Sequence, residues 1–163
     1  MKKIWMVCAA LMITLSAFAQ QKTLPVVNLK TTDGKTVSTK ELATPGKITV
    51  VSFWATWCSP CKKELDAIMD YYPEWQSKYN MQLVAISVDD ARTAAKIPSM
   101  VEEKGWEYSI LIDSSKELQQ ALGVASVPFT LLIDQNGNVV FEHNGYAPGD
   151  ELELEEKLKE LSK

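Results

Sequence analysis

Cys58 and Cys61 stand three residues apart in the run Trp57-Cys58-Ser59-Pro60-Cys61, and this spacing is the strongest chemical signal in the chain. The remaining cysteine, Cys8, lies in an apolar run near the start. Two cysteines this close cannot staple a whole domain together, so the pair calls for a chemical use. The first candidate is thiol–disulfide exchange, in which one sulfur attacks as a thiolate and the other closes a disulfide. A zinc site is a second candidate, but closed zinc sites take about four ligands and the chain has a single histidine, His143. Covalent haem attachment would need His directly after the second cysteine, where Lys62 stands. A purely structural disulfide is the fourth reading, and the strand-to-helix setting argues against it. No metal and no cofactor is expected.

Reactivity depends on the elements that hold the pair. Ile48 to Ala55 is nearly all apolar and rich in β-branched and aromatic residues, as a strand covered on both faces should be. From Pro60 onward, Leu65, Ile68, Met69 and Tyr72 fall at helical spacing, and proline fits a helix's first turn. The pair therefore sits where a central strand passes into a helix. Unpaired N–H groups and the positive end of the helix dipole stabilise a thiolate there and lower its pKa, which makes Cys58 the nucleophile. Cys61, one turn further on nearly the same side, is within reach to bridge Cys58 and to attack a mixed disulfide. Pro73 is expected to kink or end this helix.

The other elements follow from similar signals. An Asp33-Gly34 turn joins Val26–Leu29 to Thr36-Val37 in a hairpin, and Ser38 with Glu41 predicts a capped helical turn. Met81 to Val88 is a second buried strand, parallel to the first. A helix is expected over Ala91 to Lys104, a short strand at Ile110–Ile112, and a helix capped by Ser115 that ends at Gly123. Phe129–Ile133 and Val139–His143 flank Gln135-Asn136-Gly137 as a second hairpin, and Leu152, Leu154, Leu158 and Leu161 mark an amphipathic helix over Asp150 to Leu161. The expected fold is α/β: a mixed central sheet with helices on both faces and an N-terminal hairpin extension.

Met1-Lys2-Lys3, an apolar run from Ile4 to Phe18 and Ala17-Phe18-Ala19 match the three parts of a secretory signal peptide. Cleavage after Ala19 would leave residues 20–163 as one domain in the periplasm, with an uncleaved membrane anchor as the alternative. Cys8 would leave with the signal. The chain is 46% hydrophobic and 23% charged with a net charge of -4, so it offers no basic stripe for nucleic acid.

The run Phe53-Trp54-Ala55-Thr56-Trp57-Cys58-Ser59-Pro60-Cys61 resembles the active-site segment of the thioredoxin superfamily, in particular its TlpA/ResA-like extracytoplasmic members. The likeness extends through Lys62-Lys63-Glu64-Leu65, through Gly123 to Pro128, and through Asp134 to Val139, while Leu24–Val51 resembles the N-terminal extension these members share with peroxiredoxins. The resemblance implies that Pro128 follows a cis peptide bond, faces the cysteine pair and, with its neighbour Val127, helps bind substrate backbone. Thioredoxin carries a buried aspartate where this chain has Ser52. In the TlpA/ResA-like members a glutamate three residues after the second cysteine takes the role, and that position is Glu64. The alternative is a solvated glutamate in a charged first turn. Trp57 is expected to shield the pair and contact partners, Phe53, Trp54, Trp106 and Tyr108 to pack in the core, and His143 to lie at the surface or in packing.

The resemblance implies an exported, monomeric enzyme that exchanges the Cys58–Cys61 dithiol or disulfide with cysteines of extracytoplasmic proteins. Reduction is the expected direction, for example in cytochrome c maturation or thiol maintenance, because Ser59-Pro60 lacks the His that marks strongly oxidising members. A membrane protein would then supply electrons. A thiol peroxidase of the peroxiredoxin-like type is the enzymatic alternative, opposed by Ala55 and Val51 where peroxiredoxins carry Thr or Ser and Pro. A chaperone or binding module is the non-enzymatic one.

Overall fold

The computed structural model describes residues 22–163, and the expected signal peptide lies outside them. At the centre is β3 (Ile48–Trp54), in which all residues are buried. Successive side chains of a strand point to opposite faces, so both faces are covered here, as the apolar run requires. β3 pairs in parallel with β4 (Met81–Ser87) across the helix α1 (Ser59–Tyr79), and β4 pairs in parallel with β5 (Ser109–Ile112). On the other side β3 meets β6 (Phe129–Ile133) antiparallel, and β6 turns back into β7 (Val139–Asn144). The hairpin of β1 (Asn28–Thr31) and β2 (Thr36–Ser38) completes a seven-stranded mixed sheet in the order β2-β1-β5-β4-β3-β6-β7. Glycine is required at both hairpin turns, where Gly34 and Gly137 adopt φ of 84° and 89°.

Local signals for the ends of elements hold in several places. Ser38 and Glu41 form a reciprocal capping box around a short 3-10 turn, Thr39–Glu41. The helix α4 (Asp150–Leu161) buries Leu154 and Leu158, but Leu152 points outward and is 53% exposed.

Three expectations are corrected. Of the two outcomes expected at Pro73, an end to α1 is ruled out: the helix runs six residues beyond it to Tyr79. Pro73 lies on the exposed side, where the carbonyl it leaves unpaired can be solvated, while Tyr72, Trp75 and Tyr79 are anchored in the core. The Ala91–Lys104 segment is shorter than expected, with a 3-10 turn at Ala94–Lys96 before α2 (Ile97–Lys104), and Pro98 sits in the first turn of α2 rather than interrupting it. At α3 (Glu117–Ala121) the N-cap position is Lys116, and the side chain that caps the helix is Asp113, not Ser115. The buried Asp113 carboxylate accepts the amides of Glu117 at 3.0 Å and Gln119 at 2.9 Å.

Candidate active site

β3 delivers the chain into a tight loop, Ala55 to Trp57, from which α1 starts. Cys58 is the N-cap of α1, and the Cys61 amide donates to Cys58 Sγ at 3.3 Å. A first-turn N–H group without a helical partner is thus aimed at this sulfur, the arrangement that favours a thiolate. The two cysteines form a disulfide, with Cα atoms 5.4 Å apart. Cys61 is fully buried, Cys58 almost so, and the neighbouring Trp57 is 65% exposed. Trp57 thus leaves a large apolar ring in water beside the disulfide.

The loop before Cys58 hangs on Asp89, which follows β4 and is completely buried. Its carboxylate accepts the Thr56 amide at 2.8 Å, the Thr56 hydroxyl at 2.7 Å and the Ser87 hydroxyl at 2.7 Å. Lys62 closes the loop from the helix side by donating to the Thr56 carbonyl at 3.1 Å. Polar groups buried this deeply persist only when bonded, and here they tie the strand end to the helix start.

Glu64 lies one turn beyond Cys61 on α1 and is only 5% exposed, which removes the solvated-surface alternative for it. Its Oε1 accepts the Thr130 hydroxyl at 2.6 Å and its Oε2 accepts the Ser52 hydroxyl at 3.0 Å. Ser52 and Thr130 are register partners on β3 and β6, so they face α1 side by side. Burial pushes the Glu64 carboxyl above its ordinary range, and the hydroxyls of Thr130 and Ser52 pull it part of the way back.

Val127-Pro128 is cis. Pro128 directly precedes Phe129, the register partner of Phe53, so the loop comes to the same sheet end as the residues that lead to Cys58. Phe53 and Trp54 are fully buried, and Trp106 packs edge-on against Trp54 with ring centroids 5.1 Å apart. His143, which the sequence places at the surface or in packing, is half-buried. It is bonded to Asp150 at 3.1 Å and lines the same small cavity as Glu64. No local sequence pattern marks Asp89 or Asp150 as part of this set. A polar residue inside an otherwise apolar buried strand, as at Ser52 and Thr130, is the one sequence cue to the Glu64 environment.

A mixed sheet with a cysteine pair at a strand-to-helix junction, a cis proline loop at the same end and a buried carboxylate one turn along the helix defines a dithiol protein of the thioredoxin fold. Residues 20–142 match the AhpC/TSA family, and the chain belongs to that family. It is similar to thiol-disulfide oxidoreductase ResA of Bacillus thuringiensis subsp. konkukian, with 31% identity over 130 residues, covering 80% of this chain and 71% of the relative. Similarity to ResA of Bacillus subtilis is 30% over 112 residues, covering 69% of this chain and 60% of that one. A thioredoxin-like protein from Porphyromonas gingivalis superposes with a TM-score of 0.77 at 41% identity, covering 85% of this chain and 91% of that one. A thiol:disulfide interchange protein DsbE from Chlorobium tepidum shares the fold, with a TM-score of 0.75 at 23% identity, covering 88% of this chain and 97% of that one. The chain is a thiol-disulfide oxidoreductase of the thioredoxin class.

Proposed function

We propose that this oxidoreductase works outside the cytoplasm as a reductant of protein disulfides, with Cys58 as nucleophile, Cys61 as resolving thiol and Glu64 as proton acceptor. The observation that carries the reading is the buried Glu64 carboxylate held by Ser52 and Thr130 one turn behind Cys61. In the reduced enzyme the Cys58 thiolate attacks a substrate disulfide and one substrate sulfur leaves as a thiolate. Glu64 takes the proton of Cys61, whose thiolate attacks Cys58 Sγ, closes the Cys58–Cys61 disulfide and expels the second substrate sulfur. Trp57, Val127 and Pro128 receive the substrate segment beside the pair. A membrane electron donor then restores the dithiol. The substrates are cysteines of exported proteins, with cytochrome c maturation or thiol maintenance as the setting, and the enzyme acts as a monomer on residues 20–163 after loss of the signal peptide.

Insulin reduction, peroxide consumption and aggregation suppression, assayed side by side, test this reading. It expects fast insulin reduction in the presence of dithiothreitol and only background rates in the other two. Peroxide turnover that outpaced insulin reduction would replace it with the peroxidase reading.

Three further results are expected. In the reduced protein at neutral pH, iodoacetamide should modify Cys58 well before Cys61, because the helix start favours the Cys58 thiolate and Cys61 is fully enclosed. Equal rates by mass spectrometry would contradict the assignment of the nucleophile. Glu64→Gln should slow resolution of a mixed disulfide by about 100-fold, since the amide cannot accept the proton. The same variant carries a stability signature. Because burial raises the folded-state pKa of Glu64, the unfolded chain ionises first as pH rises, and wild-type stability falls across the window between the two values. Melting temperatures measured from about pH 4 to about pH 8 should therefore rise for Glu64→Gln relative to wild type, with the difference smallest at the acid end. A difference that shrank with rising pH would show that Glu64 is not held in a protonation-favouring site.

A further inference from the structure

Glu64 is sealed under α1, so any proton it takes needs a way out. A row of side chains leads from it toward solvent. Thr130, bonded to Glu64, is the register partner of His143 on β7, so the two stand side by side on the sheet face that α1 covers. His143 Nε2 is 3.1 Å from Asp150 Oδ2 in the first turn of α4, and that carboxylate also accepts the Ala147 amide at 2.7 Å. These two side chains are 29% and 30% exposed, so the far end of the row touches solvent. Glu64, Thr130, His143 and Asp150 line one narrow cavity with Ile68 and Tyr146, roomy enough for about one water.

We propose that His143, oriented by Asp150, is the proton relay between Glu64 and solvent. The inference rests on the reading of Glu64 as proton acceptor. Asp150 takes the Nε2–H bond and leaves Nδ1 as the basic nitrogen of a neutral ring. After Cys61 has given its proton to Glu64, the protonated carboxyl passes it through one water to Nδ1, and Asp150 stabilises the imidazolium that forms. The imidazolium releases the proton to solvent, Glu64 is again a carboxylate, and no electron moves in these steps. Reduction of the enzyme runs the route in reverse. His143 thus acts through Glu64 and is a positioning residue for its proton, with no contact to substrate required of it.

The charged surroundings fit this direction. Around Glu64 stand Cys61 on α1, the hydroxyls of Ser52 on β3 and Thr130 on β6, Tyr108 before β5, His143 on β7, Tyr146 in the β7–α4 connection, and Asp150, Glu151 and Glu153 on α4. Tyr146 is committed elsewhere, donating to Glu151 at 2.8 Å, and the α4 carboxylates are acceptors. Among the described residues that line the cavity, His143 is the one side chain that is both basic and in contact with solvent.

The test is stopped-flow resolution of a Cys58 mixed disulfide from pH 5 to pH 9, comparing wild type, His143→Gln, Asp150→Asn, Glu64→Gln and the Glu64→Gln/His143→Gln pair. His143→Gln should slow resolution about tenfold and change its pH profile, and Asp150→Asn, which keeps the ring, should show a smaller effect of the same kind. Added imidazole should restore the His143→Gln rate in proportion to its concentration, which a structural role would not allow. In the Glu64→Gln background, loss of His143 should cost nothing further. A slow Glu64→Gln with a normal, imidazole-insensitive His143→Gln overturns the relay and leaves Glu64 in place. A normal Glu64→Gln overturns both.

Discussion

Cys61→Ser should lower insulin-reduction turnover by about three orders of magnitude or more while leaving Cys58 able to attack, so that the protein accumulates as mixed disulfides with its partners. The expectation follows from geometry. Cys61 is enclosed beside Cys58 with Cα atoms 5.4 Å apart, and among the described residues these two are the only cysteines, so no other thiol in residues 22–163 can replace Cys61 in the resolving step. Cys58→Ser should be as inactive but should trap nothing, because the remaining sulfur is buried. Non-reducing gels of an exported fraction, followed by mass spectrometry of the adducts, check both points and identify the substrates. Adducts on Cys58→Ser as abundant as those on Cys61→Ser would reverse the two roles.

Asp89→Ala should cost about 3 kcal/mol of stability, a loss of roughly 10 °C in melting temperature. The carboxylate accepts from the Thr56 amide, the Thr56 hydroxyl and the Ser87 hydroxyl in a site that water does not reach, so truncation leaves three buried donors without a partner. Asp89→Asn keeps an acceptor oxygen and should cost less than half as much. Both variants should also slow exchange, since Thr56 lies two residues before Cys58 and its position sets where α1 begins. Thermal melts with insulin-reduction rates at 15 °C separate the two effects. A melt for Asp89→Ala within 2 °C of wild type would mean that the loop is held by other bonds.

Much of this could be read from residue order alone, and the part that could is local or periodic. The Ile48–Trp54 strand, the start of α1 at the cysteine pair and both hairpin turns are encoded within a few residues of where they occur. A strand buried on both faces must be apolar throughout, a helix start accepts proline, and Gly34 and Gly137 supply the backbone conformation their turns need. The cysteine pair itself is local, its two residues one helical turn apart at the start of α1.

What residue order did not disclose was decided by contacts between residues far apart in the chain. Pro73 would be expected to interrupt an isolated helix, yet α1 continues because Trp75 and Tyr79 are buried beyond it, and packing outweighs one lost backbone bond. Asp89 stands 33 residues from Thr56 and Thr130 stands 66 from Glu64, so nothing in either neighbourhood announces the bond. The likeness to relatives pointed to Glu64, but only folding shows why its carboxyl favours a proton. That property belongs to the low-dielectric gap between α1, β3 and β6, closed over by β7 and α4, and exists only once the strands are in register. His143, ordinary as a lone histidine on an edge strand, becomes a chemical group through the register that sets it beside Thr130 and the helix that sets Asp150 against it.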